Sequence, residues 1–173
     1  MGPGYFGKLP GHGDFLARGL PPGWRTGLDA WLTRWLAPVA GDPDAWPPGG
    51  IRAALEVGGQ GVLIVAGPSV DSAGRAYPVA ACVALNGADR VGADRWCDPA
   101  SVALARAVAG RMDADTLLAA LKTVRPPERG DVPVPPQLVW SDAVAGPPDR
   151  AIPAILAVAE TAPVSSGEPS SPS

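Results

Sequence analysis

The stretch Ile51-Arg52-Ala53-Ala54-Leu55-Glu56-Val57-Gly58-Gly59-Gln60-Gly61-Val62-Leu63-Ile64-Val65 decides the fold. Two apolar runs flank a short turn that holds two adjacent glycines. That pattern predicts a β-hairpin, and with it antiparallel pairing. Further on, Val79 to Leu85 is apolar without alternation, which predicts a strand covered on both faces. Asn86-Gly87 closes it.

Upstream of the hairpin, Trp24, Leu28, Trp31, Leu32, Trp35 and Leu36 recur at intervals of 4, 3, 1, 3 and 1. This spacing draws one face of a helix. Arg25, Asp29, Thr33 and Arg34 fall largely on the other face, and Pro38 and Gly41 end the run. The tryptophan stripe reads as core. Downstream, Asp98-Pro99 has the form of an N-cap followed by a first-turn proline and predicts a helix to about Ala109. Asp113 or Asp115 starts a further helix through Leu117, Leu118, Leu121 and Val124, stopped by Pro126-Pro127. Residues 125–136 form a Pro-rich connection, and Gln137 to Trp140 suits a strand. Residues 151–160 fit helix or strand, although Pro153 argues against a regular central strand.

Taken in order, these elements predict a single α+β domain over residues 1–160, with a mainly antiparallel central sheet packed against helices. The Ser/Pro-rich residues 161–173 are expected to form a disordered tail. The length of 173 residues suffices for one real core. Apolar residues make up 46% and charged residues 18%, so the 22 glycines and 22 prolines read as turns within a folded domain.

Composition also narrows the function. The net charge is −3 and no Lys/Arg cluster stands out, so no nucleic-acid partner is expected. No apolar run approaches the ~18 residues of a membrane span. Met1 to Tyr5 lacks the basic and apolar regions of a secretory signal. Cys82 and Cys97 have no metal-ligand spacing, and Cys82 reads as a small buried hydrophobe. A reduced, cytoplasmic setting is the expectation.

Chemistry concentrates in two glycine-punctuated loops, 4–21 and 67–78. Each carries an acid and an arginine four residues apart, Asp14/Arg18 and Asp71/Arg75. Gly11-His12-Gly13-Asp14 lacks the Gly-Lys-Ser/Thr ending of a phosphate loop. His12 is the only histidine, so a metal site would need carboxylates for its other ligands. A small hydrolase or phosphate-handling enzyme using His12, Asp14 and Asp71, or Ser69 with His12 and an Asp, is the enzymatic alternative. Ser69 stands in no nucleophile-elbow context. No catalytic residue, cofactor or metal is therefore assigned.

Two readings of the acid–arginine pairs remain, and they are compatible. The acids accept backbone N–H groups and the arginines pair with carboxylates, so that the loops are staples. Alternatively, Lys8, His12, Asp14, Arg18, Ser69, Asp71 and Arg75 form a surface that meets a partner.

The string Gly4-Tyr5-Phe6-Gly7-Lys8-Leu9-Pro10, followed by Gly13-Asp14-Phe15 and Arg18-Gly19-Leu20-Pro21, resembles the N-terminal signature of the TagF (ImpM) family of type VI secretion-associated proteins. Asp29-Ala30-Trp31-Leu32 is similar to that family's Trp-containing helix. Pro68-Ser69-Val70-Asp71, Gly74-Arg75 and Tyr77-Pro78 are similar to its second signature. The resemblance implies a mixed α/β domain and a cytoplasmic regulator. It implies post-translational repression of type VI secretion through a forkhead-associated scaffold protein. Some relatives carry a fused phosphatase domain, which this chain is too short to include. A structural subunit of the secretion complex is the further alternative.

Overall fold

The computed structural model describes residues 2–161. The strands are β1 (Gly4–Gly7), β2 (Leu16–Arg18), β3 (Ile51–Val57), β4 (Gln60–Gly67), β5 (Val79–Ala84), β6 (Val139–Trp140) and β7 (Ala145–Gly146). They form one seven-stranded sheet in the order β2-β1-β5-β4-β3-β6-β7. Every neighbouring pair is antiparallel. The helices are α1 (Trp24–Trp35), α2 (Arg90–Val108), α3 (Ala114–Thr123) and α4 (Pro148–Thr161). The chain is thus an α+β domain with helices on both sheet faces.

Those two faces explain the unbroken apolar strands. Side chains alternate sides along a strand. Val62, Ile64 and Ala66 of β4, with Ala80 and Cys82 of β5, pack with α1 and α4. Leu63 and Val65, with Val79, Ala81 and Val83, pack with α2 and α3. Over Val62–Ala66 of β4 and Val79–Val83 of β5 neither face meets water, so these strand centres carry no charged or amide side chain. Burying a Val, Leu or Ile this fully stabilises by roughly 1.5–3 kcal/mol each. Cys82 is one of these core residues, and burial pushes its thiol up to about 12.

The tryptophan stripe of α1 is largely core: Trp24 and Trp31 are buried and Trp35 is half-buried. Trp24 Nε1 also donates to Gln60 Oε1 in the hairpin turn at 3.3 Å, tying helix to hairpin.

Several expectations are sharpened or corrected. The second helix begins at Arg90, not at Asp98. Asp89 is its N-cap and accepts from Gly92 N at 2.8 Å. Pro99 therefore lies inside α2, on its exposed side, where packing of Trp96, Ala100 and Leu104 against the sheet overrides the local breaker. Asp98 instead sends its carboxylate to Arg52. Asp113, rather than Asp115, caps α3 by accepting from Thr116 N. The ambiguous segment 151–160 is helical, with Pro153 on its exposed side and Ala151, Ile152 and Ile155 buried. Gln137 adopts φ 68, a left-handed conformation, and β6 starts only at Val139. Of the segment expected to form a tail, Thr161 ends α4 and residues 162–173 lie outside the described residues.

One charged side chain enters the α2 side of the sheet. Arg52 of β3 is buried, and its guanidinium bonds Asp94 and Asp98 of α2, each at 2.7 Å. Burial alone would lower its pKa, but these two carboxylates outweigh that and raise it. Trp140 of β6 donates to the same Asp94 at 2.8 Å. Three elements are held at one carboxylate.

The glycines of the first motif answer to close backbone approach. A Cβ on Gly4 would lie 2.4 Å from the Arg18 carbonyl oxygen, and one on Gly7 would lie 2.3 Å from that of Pro78. Gly7 also has φ 144, which side chains other than hydrogen resist. Gly7→Ala is expected to destabilise by about 2 kcal/mol or more. Urea unfolding checks this, and a midpoint equal to wild type would contradict it.

Candidate functional site

The site follows from strand periodicity. Phe6 of β1 faces the α1 side, so Lys8, two residues on, faces the same way. There Phe6, Phe15 and Tyr77 form an aromatic floor. The Phe6 and Phe15 rings stack at 5.7 Å, and Tyr77 meets Phe15 edge-on at 4.8 Å. Lys8 Nζ lies over the Phe15 ring at 4.9 Å and over the Tyr77 ring at 6.0 Å. The ring faces carry negative charge density and favour the ammonium.

The second loop turns back on itself above this floor. Val70 and Ala76 form a bridge, Tyr77 N donates to Ser69 O, and Gly74 takes φ 78 at the turn. At the neck sits Asp71, whose side chain is wholly buried. Its Oδ1 accepts from Ala73 N and Arg75 N, both at 2.9 Å. Its Oδ2 accepts from Lys8 Nζ at 3.0 Å and Arg75 Nε at 2.7 Å. Burial alone would raise the Asp71 pKa. The Arg75 N–H, the Lys8 ammonium, the Arg75 guanidinium and the Ala73 N–H outweigh it and hold the carboxyl well below the usual carboxylate range.

The loops are then clamped to each other. Ser72 N donates to His12 O at 2.8 Å, and Arg75 Nη2 donates to Gly13 O at 3.2 Å. Helix α1 closes the far end. Tyr77 Oη shares hydrogen bonds with Asp29 and Thr33, at 3.3 and 3.0 Å. Burial pushes the Tyr77 hydroxyl up to about 12, partly offset by Thr33 and reinforced by Asp29.

The seven residues singled out by sequence divide three ways. Lys8, Ser69 and Asp71 are buried. Asp14 and Arg75 are exposed, with 67% of the Arg75 side chain open to solvent, and His12 is half-buried. Arg18 is elsewhere. It pairs with Tyr5 across β1 and β2, and Tyr5 packs on the α2/α3 side of the sheet. The expected Asp14–Arg18 pair is not made. Asp14 accepts its neighbour Phe15 N at 2.7 Å, and Arg18 donates to the Ala17 carbonyl. A four-residue spacing brings side chains together on a helix, but this segment is loop and strand. The Asp71–Arg75 pair forms because its loop folds back on itself.

Asp71, holding four donors, is a fixed anion and cannot take a proton from a substrate. Among the described residues, Ser69 Oγ reaches only the Val70 carbonyl, at 3.5 Å. His12 Nδ1 is buried without a hydrogen-bond partner among the described residues. The serine, histidine and aspartate are not linked into a triad. Composition overlooked the aromatic floor, although Phe15 and Tyr77 stand inside the two quoted motifs. Asp29 and Thr33, assigned to the polar face of α1, in fact brace Tyr77.

A solved structure shares this architecture. PA0076 from Pseudomonas aeruginosa PAO1 superposes with a TM-score of 0.58 and 27% sequence identity, over 91% of this chain and 76% of that one. No curated protein sequence matches the chain. Residues 4–124 match the TagF N-terminal domain family, type VI secretion system-associated. The chain belongs to that family and is a type VI secretion-associated protein. The match spans both loops.

Acid should dissolve the clamp. Asp71 titrates lower when folded than its unfolded value of about 3.9, so its contribution is full above that value and is lost as pH falls below it. Asp71→Asn is expected to melt several degrees below wild type at pH 7. The gap should narrow as pH drops below about 4. Melting curves across pH 7 to 3 check this, and an undiminished gap at the acid end would contradict it.

Proposed function

We propose that this protein regulates type VI secretion after translation, as a repressor that binds a forkhead-associated scaffold protein of that system. Membership of the TagF family supports the system, and the family resemblance supports the scaffold and the repression. The contact surface is the rim of the two clamped loops: His12, Asp14 and Arg75. Lys8, Ser69 and Asp71 lie beneath and hold the rim in shape, while Arg18 on the other sheet face takes no part.

One observation carries the binding reading. Arg75 spends Nε on buried Asp71 and Nη2 on Gly13 O, yet keeps two-thirds of its side chain open to solvent. Its guanidinium is therefore held in one orientation before any partner arrives, which lowers the entropy cost of docking. The role places the protein in the cytoplasm. No helix of the described residues is long and apolar enough to cross a membrane.

Arg75→Glu and Asp14→Lys are expected to weaken binding of the purified scaffold protein about tenfold or more. Circular dichroism separates loss of contact from loss of fold. In the native cell, deletion should raise secretion of the system's effectors. Full affinity in a folded Arg75→Glu variant would remove this surface from the account. Secretion abolished by the deletion would instead make the protein a structural subunit.

A further inference from the structure

Where the second loop leaves β4, on the α2 side of the sheet, lies a surface apart from the Asp71 clamp. Pro47, Pro48 and Pro68 face Leu104 and Val108 of α2 across an apolar cavity of about 240 Å³. A second cavity of about 250 Å³ adjoins it, with Pro48 and Ala105 lining both. The second differs in chemistry. Its lining adds Val102, which is 60% exposed, and the exposed Arg106 and Arg111. Among the described residues neither arginine has a carboxylate partner.

Each hollow is smaller than the roughly 300–1,000 Å³ of a small-molecule site. Each has room for a large side chain. In an extended peptide, alternate side chains point the same way, about 6.6 Å apart. Two hollows that share a wall can therefore receive residues i and i+2 of such a segment. The proline walls are rigid, so little order is lost when the groove fills. The arginine forks supply paired donors for a carboxylate. The chain as a whole is acidic, at −3, so this attraction for an acid is local to the groove.

We infer that this groove docks an extended segment of another protein, one with a large apolar residue followed two positions later by Asp or Glu. The apolar side chain enters between the prolines and α2. The carboxylate pairs with Arg106 and Arg111. This is a second interface, separate from the rim at Arg75, and its residues are disjoint from those of the Asp71 clamp.

The probe is a library of random heptapeptides displayed on phage and panned on the full-length protein. The enriched peptides should share the apolar–any–acid pattern. The synthetic form of the strongest should bind by fluorescence anisotropy and lose at least tenfold in affinity against Arg106→Glu/Arg111→Glu. Ala105→Trp, which fills the wall shared by the hollows, should cost as much. If Ala105→Trp does not fold, the two exposed arginine reversals decide alone. Failure to enrich peptides, enrichment without the acid, or affinity unchanged by the arginine reversals would overturn the proposal. So would a wild-type dimer in sedimentation that Ala105→Trp dissociates, because a second copy would then fill the groove.

Discussion

A carboxylate taken out of water must be met by donors or it will not stay charged. Asp71 is met by four, and those donors come from two loops far apart in sequence. Lys8 arrives from the end of β1, and Arg75 and the two amides from the 69–77 turn. Once the charge is buried, the path of both loops is fixed. The aromatic floor, the Ser72–His12 bond and the Arg75–Gly13 bond are arranged around it. A hydrophobic residue of similar size could fill the space, but it would not set the direction of the Arg75 fork. The cluster's value lies in that geometry more than in net stability, since buried ion pairs recover little beyond their desolvation cost.

The sheet provides the frame for this arrangement. The period of two sends Phe6 and Lys8 toward α1, and Tyr5 and Arg18 toward α3. One strand edge thus separates two residues that look alike in the sequence motif. On the opposite face Arg52 does for α2 what Asp71 does for the loops, with the charges exchanged: one buried cation gathers two carboxylates. Each face of the domain has a buried charge cluster that fixes how a neighbouring segment lies on the sheet.

The large elements were legible because they rest on repeated, local signals. The hairpin at Gly58-Gly59, the double-covered β5 and the tryptophan stripe of α1 all appear where periodicity puts them. Signals that depend on distant partners were not legible. Asp98-Pro99 reads as a helix start, yet Asp98 faces Arg52 and the true cap is Asp89. Arg52 looks like an incidental charge in an apolar strand until α2 is placed over it. For the site, both loops were found by their composition. Spacing alone could not say that Asp71 would be buried and joined to Arg75 while Asp14 and Arg18 part. That distinction follows from one loop folding into a closed turn and the other running into a strand. Tyr77 and Phe15 lay inside the motifs, but their role as a floor beneath Lys8 depends on three-dimensional stacking.

One buried carboxylate thus holds the two loops as a single unit. Amide hydrogen exchange in wild type and in Lys8→Met tests it most directly. Removing the ammonium takes away the donor that the first loop sends to Asp71, without touching the turn's own amide bonds to Asp71. Segments 8–15 and 69–77 should lose protection together, while β3 and β4 keep theirs. Faster exchange in the first loop alone, with 69–77 unchanged, would contradict it.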